Sequence, residues 1–199
     1  GNPEYTPIDE EHIKNPINPY GRSKLMVEQM LEDFSQAYNL KYLVFRYFNA
    51  AGHDADGELV ERHDPETHLL PLIMQAARGD RDNIAIFGTD YDTKDGTCIR
   101  DYIHVDDLCV AHLRGLSIFF NEGKEVCSNN FNLGNGSGFS VKEVISKVKE
   151  LTGENFLVVE KERRSGDPSV LIASNVKASK MLNFTPNKSK IEDIIKSLI

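Results

Sequence analysis

Tyr20 and Lys24 stand one helical turn apart in the run Asn18-Pro19-Tyr20-Gly21-Arg22-Ser23-Lys24. Residues i and i+4 share a helix face. A phenol and an ammonium placed this way can act as one unit, the cation favouring the phenolate and lowering a tyrosine pKa from about 10. The product is a base able to take a proton from an alcohol. Such a base usually serves a nicotinamide cofactor held on a Gly-rich strand-helix turn, and no such turn lies among the residues ahead of Tyr20. By spacing alone, coincidence on a solvated helix is an even alternative. The surrounding sequence favours the site.

A second concentration runs from Ile86 to Asp107, IFGTDYDTKDGTCIRDYIHVDD. It offers an aromatic ring at a strand end (Phe87), a long turn, then Arg100 and Tyr102. Alternate residues of a strand project from one face. A guanidinium and a phenol on that face can grip a phosphate and a hydroxyl. An ordinary salt-bridged strand is the alternative. Arg163-Arg164-Ser165-Gly166-Asp167-Pro168 pairs two arginines with a turn, a candidate diphosphate holder, with Asp167 free to accept from ribose hydroxyls. By itself the segment reads more readily as a solvated basic turn.

Other clusters are weaker. Gly134, Gly136 and Gly138 follow a strand and precede a helix, but without G-x-G-x-x-G spacing they read as a structural turn. His63 and His68 are five apart with a proline between them, not the i, i+4 pair of a zinc protease, so no metal is expected. Cys98, Cys109 and Cys127 are odd in number and lack CxxC spacing, as free thiols of a reducing compartment do. None has the histidine spacing of a thiol nucleophile and its base.

The elements that position these residues follow from periodicity. Residues 1–18, with Pro3, Pro7 and Pro16 among carboxylates, predict an irregular loop. Leu25, Met26, Met30, Leu31, Phe34 and Ala37 recur at helical spacing after Pro19, predicting a helix to about Tyr38. Lys41–Phe48 predicts a strand and Asn49–Thr67 a polar loop. A short helix over Leu69–Ala77, a strand over Ile84–Phe87 and an extended Thr97–Ile103 come next. Val105–Phe120 predicts a long helix with Asp106 and Asp107 in its first turn, where the dipole favours anions. Asn130–Leu133 is a predicted strand. Ser140 with Glu143 forms a capping box for a helix to about Thr152. A strand at Phe156–Glu160 and helices near 175–182 and 189–198 complete an α/β pattern without internal repeats.

The 199 residues suffice for one domain or two small ones. A net charge of −8 argues against nucleic acid as the main partner. No apolar run has the length of a membrane span, and the N-terminus is no signal peptide. A cytoplasmic protein is the expectation.

The motifs, taken in order, resemble one family over almost the whole chain. YGRSK at 20–24, RYFN-x-x-G at 46–52, HLLP at 68–71, the long block at 86–108, FNLG at 131–134 and RRSGDP at 163–168 are similar to the UDP-glucose 4-epimerases, extended members of the short-chain dehydrogenase/reductase superfamily. The insert TDYDTKDGT favours the galactose epimerases over related dehydratases and decarboxylases. The resemblance implies an NAD-binding Rossmann domain and a smaller domain for the UDP-sugar. Residues 1–50 would be the end of the first, and 51–199 the UDP-sugar region, with some segments returning to the Rossmann part. The family's Gly-rich fingerprint and catalytic Ser/Thr would lie ahead of Gly1. The chain is therefore expected to be an N-terminally truncated fragment, inactive alone, from a protein that is a homodimer when full length.

The implied reaction interconverts UDP-glucose and UDP-galactose by oxidation and re-reduction at sugar C4. Tyr20 would be the acid/base, and Lys24 would lower its pKa and bond the nicotinamide ribose. Phe48 would lie by the nicotinamide and Asn49 would bond the sugar-phosphate. His68 stands where many members carry Asn beside the sugar. Leu69 would begin a helix whose amides favour phosphate. Ala85, Ile86 and Phe87 would receive uracil, Arg100 and Arg164 would clamp the diphosphate, Tyr102 would line the site and Asp167 would bond ribose. Leu171 matches a gatekeeper near the sugar 2-substituent, where a large Tyr is common in bacterial members. Its intermediate size implies room for UDP-GlcNAc. Two other readings stay open: another nucleotide-sugar enzyme of the superfamily, such as a dehydratase or a uronate or N-acetylhexosamine epimerase, and a non-catalytic UDP-sugar-binding remnant.

Overall fold

A computed structural model describes residues 1–54, 56–120 and 128–199. Cys127 lies outside them. Cys98 and Cys109 are free, Cys98 buried and Cys109 exposed. No helix among the described residues is long and apolar enough to cross a membrane.

The first helix, α1, spans Pro19–Tyr38. Asn18 caps it by accepting from the Gly21 amide at 2.8 Å, and Pro19 supplies a preset φ at the first position. Asn39 in the left-handed conformation ends it. Strands β1 (Leu43–Tyr47) and β2 (Asn49–Ala51) follow, then α2 (Leu69–Arg78), β3 (Asn83–Phe87), β4 (Ile99–His104) and α3 (Val105–Phe120). The remainder is β5 (Asn129–Leu133), β6 (Gly138–Ser140), α4 (Val141–Thr152), β7 (Leu157–Lys161), β8 (Val170–Leu171), α5 (Val176–Leu182) and α6 (Ile191–Ser197). The Ser140/Glu143 capping box opens α4 as expected.

Strand β1 pairs with β5 in parallel, Phe45 opposite Phe131, and β3 pairs with β7 in parallel, Ala85 opposite Val159. Parallel partners so distant in sequence require crossover connections, the signature of an α/β fold. Between them β4 pairs with β2 and β8 in parallel and with β6 antiparallel. Three short pieces depart from expectation. Asn49–Ala51 is a strand on β4, not loop; Gly138 starts β6; and Val170–Leu171 forms β8. Each is too short to show a period of its own and is strand only because β4 offers an edge.

Two apolar clusters hold the molecule. One joins Ile84, Ile86 and Tyr102 to α2, α4 and α6 through Ile73, Val144 and Ile194. The other packs Phe131, Leu133 and Ile103 against α3 and α5. Asp101, fully buried, ties the sheets to the turns around it. Its carboxylate accepts from the amides of Asn135 at 2.6 Å, Gly136 at 3.0 Å and Ala173 at 2.9 Å. The glycine-dense turn is thus a structural one, its amides already committed. A Cβ on Gly134 would come within 2.5 Å of Asp101 Oδ2, which explains that glycine.

Helix α1 departs from expectation on its burial. The helix forms, but none of its residues is buried, and Met26, Met30 and Phe34 of the predicted inward stripe are about half exposed or more. A bidentate ion pair tethers it instead. Arg46 of β1 donates to Glu28 from Nε at 2.7 Å and from a terminal nitrogen at 2.6 Å, and Lys14 approaches at 3.5 Å. Burial pushes the Glu28 carboxyl up, but the Arg46 hydrogen bonds and charge outweigh it and hold the carboxyl below the ordinary 4.5. A carboxylate with a depressed folded pKa contributes stability that is complete above its unfolded value and lost as pH falls through the folded one. Amide hydrogen exchange in α1 is therefore expected to accelerate below about pH 4.5 relative to α4. In Glu28→Gln the fast exchange should already be present at pH 7. Equal protection of α1 in the variant and the parent at pH 7 would rule out the tether.

Candidate active site

Tyr20 and Lys24 share the face of α1 that borders a cleft of about 710 Å³, which Phe48 and Leu171 also line. The Lys24 ammonium lies 5.1 Å from the centre of the Tyr20 ring. Tyr20 is 73% exposed, so its hydroxyl is open to a ligand. The capped start of α1 fixes the first turn, and the Glu28–Arg46 pair one turn beyond Lys24 sets the helix against β1.

Leu171 lines this cleft from β8. It lies opposite Arg100 in the β8–β4 register. Arg100 pairs with Asp167 and donates to the Pro168 carbonyl at 2.7 Å. Cys98 Sγ sits 3.9 Å from the other Asp167 oxygen. Both anticipated ligand groups, Arg100 and Asp167, are thus brought together but engaged with each other. A diphosphate and a ribose would have to compete for them.

The two adjacent arginines diverge, against the expectation of one double clamp. Arg163 turns back to Asp90, donating from Nε at 2.6 Å, and lies 4.1 Å from the Tyr91 ring centre. Arg164 stacks on Phe87 at 3.8 Å and has no ion pair among the described residues. It remains available for an anion. The stack also places a cation beside the strand proposed to take a base. Ala85 and Phe87 are half-buried on β3, while Ile86 is buried in the core and could contribute only through its backbone.

Tyr102 is corrected. Strand alternation put it beside Arg100 on an open face, but it is 4% exposed and packs in the core cluster with Ile84 and Ile86. Burial pushes its phenol pKa up. The strand is covered on both sides, so sharing a face with Arg100 does not bring access. Asn49, by contrast, is exposed and lies opposite Tyr102 in the β2–β4 register, one residue after Phe48. Leu69 is the first residue of α2, as anticipated, and His68 is its N-cap without a side-chain capping bond.

His68 has other partners. Its Nδ1 lies 2.9 Å from Glu66 and 3.0 Å from Glu61, and its ring is 4.9 Å from that of His63. The two histidines are not helically spaced, and a loop doubling back brings them together. The structure places this cluster at the start of α2.

Comparison with known proteins agrees with this geometry. Residues 1–134, including Tyr20, Lys24 and Arg100, match the NAD dependent epimerase/dehydratase family. The chain belongs to that family. A UDP-glucose 4-epimerase of Halalkalibacterium halodurans is 47% identical over 195 residues, 98% of this chain and 58% of the relative. The crystal structure of a UDP-glucose 4-epimerase from Brucella ovis in complex with NAD is 47% identical, with a TM-score of 0.93 over 99% of this chain and 60% of that one. The UDP-Glc/GlcNAc 4-epimerase of Campylobacter jejuni is likewise 47% identical, with a TM-score of 0.77 over 99% of this chain and 59% of that one. The chain thus spans about 58% of the length of the curated relative from H. halodurans. Within the epimerase/dehydratase family the α/β fold of this chain is that of extended short-chain dehydrogenase/reductases, as its motifs implied.

The residues present fit the nicotinamide end of NAD: an exposed phenol and an ammonium converge on a cleft walled by Phe48. Among the described residues the Gly-rich turn after β5 is not free for its pyrophosphate, since amides there donate to Asp101 and Asn175 donates to and accepts from Gly134.

Proposed function

We propose that these residues form the base and sugar-nucleotide side of a UDP-glucose 4-epimerase. The observation that carries the reading is the Tyr20/Lys24 cleft lined by Phe48 and Leu171, with Leu171 the strand neighbour of Arg100. A UDP-hexose extended from the cleft past Leu171 would put its sugar at Tyr20 and its diphosphate near Arg100 and Arg164. Bound NAD would supply reversible hydride acceptance at sugar C4. Tyr20 takes the 4-hydroxyl proton and returns it, and Lys24 favours its phenolate by charge. Both are also the residues to bond the nicotinamide ribose, with Phe48 alongside. Asn49, His68 and the amide end of α2 at Leu69 would steady the sugar-phosphate. Ala85, Ile86 and Phe87 would hold uracil by backbone bonds and ring packing, and Asp167 would turn from Arg100 to ribose. Tyr102 acts from behind, filling the core under Asn49.

Residues 1–50, joined by β5 through its pairing with β1, make up the cofactor side of this reading, and the β3–β7 half takes the nucleotide. The exposed apolar stripe of α1 is the surface on which two copies would pair. The test of function is direct. A form containing residues 1–199 and competent to bind NAD interconverts UDP-glucose and UDP-galactose. Binding of UDP-galactose and NAD without any conversion would instead support a non-catalytic binding protein, and conversion of a uronate sugar alone would support another epimerase.

Leu171 sets the breadth of the site. It lines the Tyr20 cleft with a side chain smaller than Tyr. Turnover of UDP-GlcNAc beside UDP-glucose is expected. Leu171→Tyr should lower the acetylated reaction at least about 10-fold relative to the other, a difference of about 1.4 kcal/mol in transition-state binding. Equal rates for both sugars in the variant, or no acetylated turnover in the parent, would remove Leu171 from this role.

A further inference from the structure

We propose that Glu61, His63, Glu66 and His68 form a binding site for one divalent transition-metal ion of the zinc class. One ligand atom from each of the four lies within 4.8 Å of the others. His63 Nδ1 is 3.3 Å from Glu61 Oε1 and 3.6 Å from Glu66 Oε2. His68 Nδ1 is 3.0 Å from Glu61 Oε1 and 2.9 Å from Glu66 Oε1. A tetrahedral zinc ion with ligand bonds of about 2.0–2.2 Å holds its donors roughly 3.4 Å apart, so the His–Glu pairs are already near that spacing and the widest-set donors, up to 4.8 Å apart, would have to close by about 1.4 Å.

The cluster is organised before any ion arrives. Glu66, with a side chain only 7% exposed, accepts on Oε1 from the amides of Thr67 at 2.7 Å and His68 at 2.8 Å. Those bonds leave Oε2 facing His63. Burial opposes ionisation of Glu66, but the His68 and Thr67 amides outweigh it and hold its carboxyl below the ordinary range. Outer-sphere bonds of this kind orient ligands in built metal sites. Glu61 is also partly covered, and a groove of about 290 Å³ beside Glu61, His63 and Glu66 gives a path to solvent.

The donor set selects the ion. Two imidazoles and two carboxylates suit zinc, nickel or copper, while magnesium and calcium prefer oxygen ligands throughout. The two carboxylates neutralise a dication, and the neutral imidazoles add donors without charge. Bound metal would close the excursion between β2 and α2 onto the first turn of α2. His68 is the one member also proposed to steady the sugar-phosphate, and Zn²⁺ titration reads the cluster without epimerase turnover.

The test is calorimetric titration of the chelator-treated full chain with Zn²⁺ at pH 7.5, with Co²⁺ as a spectroscopic probe. One equivalent of Zn²⁺ should bind, and Co²⁺ should give the intense visible bands of a four-coordinate site. His63→Ala and Glu61→Gln should each weaken Zn²⁺ at least about 10-fold with the fold preserved by circular dichroism, and His12→Ala should change nothing. Absence of stoichiometric Zn²⁺ binding would overturn the site and leave a network of His–Glu ion pairs. So would equal affinity in the parent and His63→Ala, or Co²⁺ bands showing thiolate ligation from the cysteines.

Discussion

Tyr20→Phe, in a form competent to bind NAD, is expected to lower kcat for UDP-glucose and UDP-galactose by about 10²–10⁴-fold, the usual worth of a positioned acid/base. KM and thermal stability should change little. The phenol is exposed, and among the described residues its hydroxyl makes no hydrogen bond that the fold uses. Removing one oxygen from the open cleft therefore removes proton transfer and leaves packing intact. Lys24→Met is the companion. Its ammonium lies 5.1 Å from the Tyr20 ring, so its loss should also lower kcat, because the cation that offsets negative charge developing on the phenol oxygen is gone. A Tyr20→Phe protein with kcat within threefold of the parent would show that another group moves the proton.

The largest effect on stability is expected at Asp101. Asp101→Asn replaces one acceptor oxygen by a donor facing backbone N–H groups of Asn135, Gly136 or Ala173. The site is fully buried, so water cannot substitute. Leaving one or two buried amides unpaired and opposed by an NH₂ group costs about 3–6 kcal/mol. In a chain of this size that corresponds to a fall in Tm of roughly 6–20 °C. Thermal unfolding followed by circular dichroism measures it. Asp167→Asn, at a half-buried position with Arg100 as partner, should cost far less. A smaller loss for Asp101→Asn than for Asp167→Asn would mean that the cradle is not what joins β4, β8 and the turn after β5.

The sequence carried the catalytic helix clearly because its signals are local. Asn18, Pro19 and the apolar period suffice to start α1 and to put Tyr20 and Lys24 on one face. The Ser140 box and the Phe45 and Phe131 strands are similarly visible in caps and composition, while the parallel pairing of those strands is a finding of the structure. Burial was less legible because it depends on what covers an element. Met30 and Phe34 belong to an apolar stripe yet lie open, and Tyr102 has the alternation of an exposed strand yet sits in the core. The role of Asp101 could not be read either, since its three donors come from distant positions. Arg163 and Arg164 are neighbours in sequence but part company because Asp90 and Phe87 attract them separately. The Glu61–His68 cluster is illegible for a related reason: a helical spacing rule does not describe side chains gathered by a folded-back loop.

The central claim is that Tyr20 serves reversible hydride transfer at C4 of a UDP-hexose. It is tested most directly by incubating UDP-galactose deuterated at C4 with an NAD-competent form and following the product by NMR. The account predicts UDP-glucose that retains deuterium at C4, formed at a rate reduced about 10²-fold or more by Tyr20→Phe. UDP-glucose with the label exchanged for solvent hydrogen, or no conversion with both ligands bound, would contradict it.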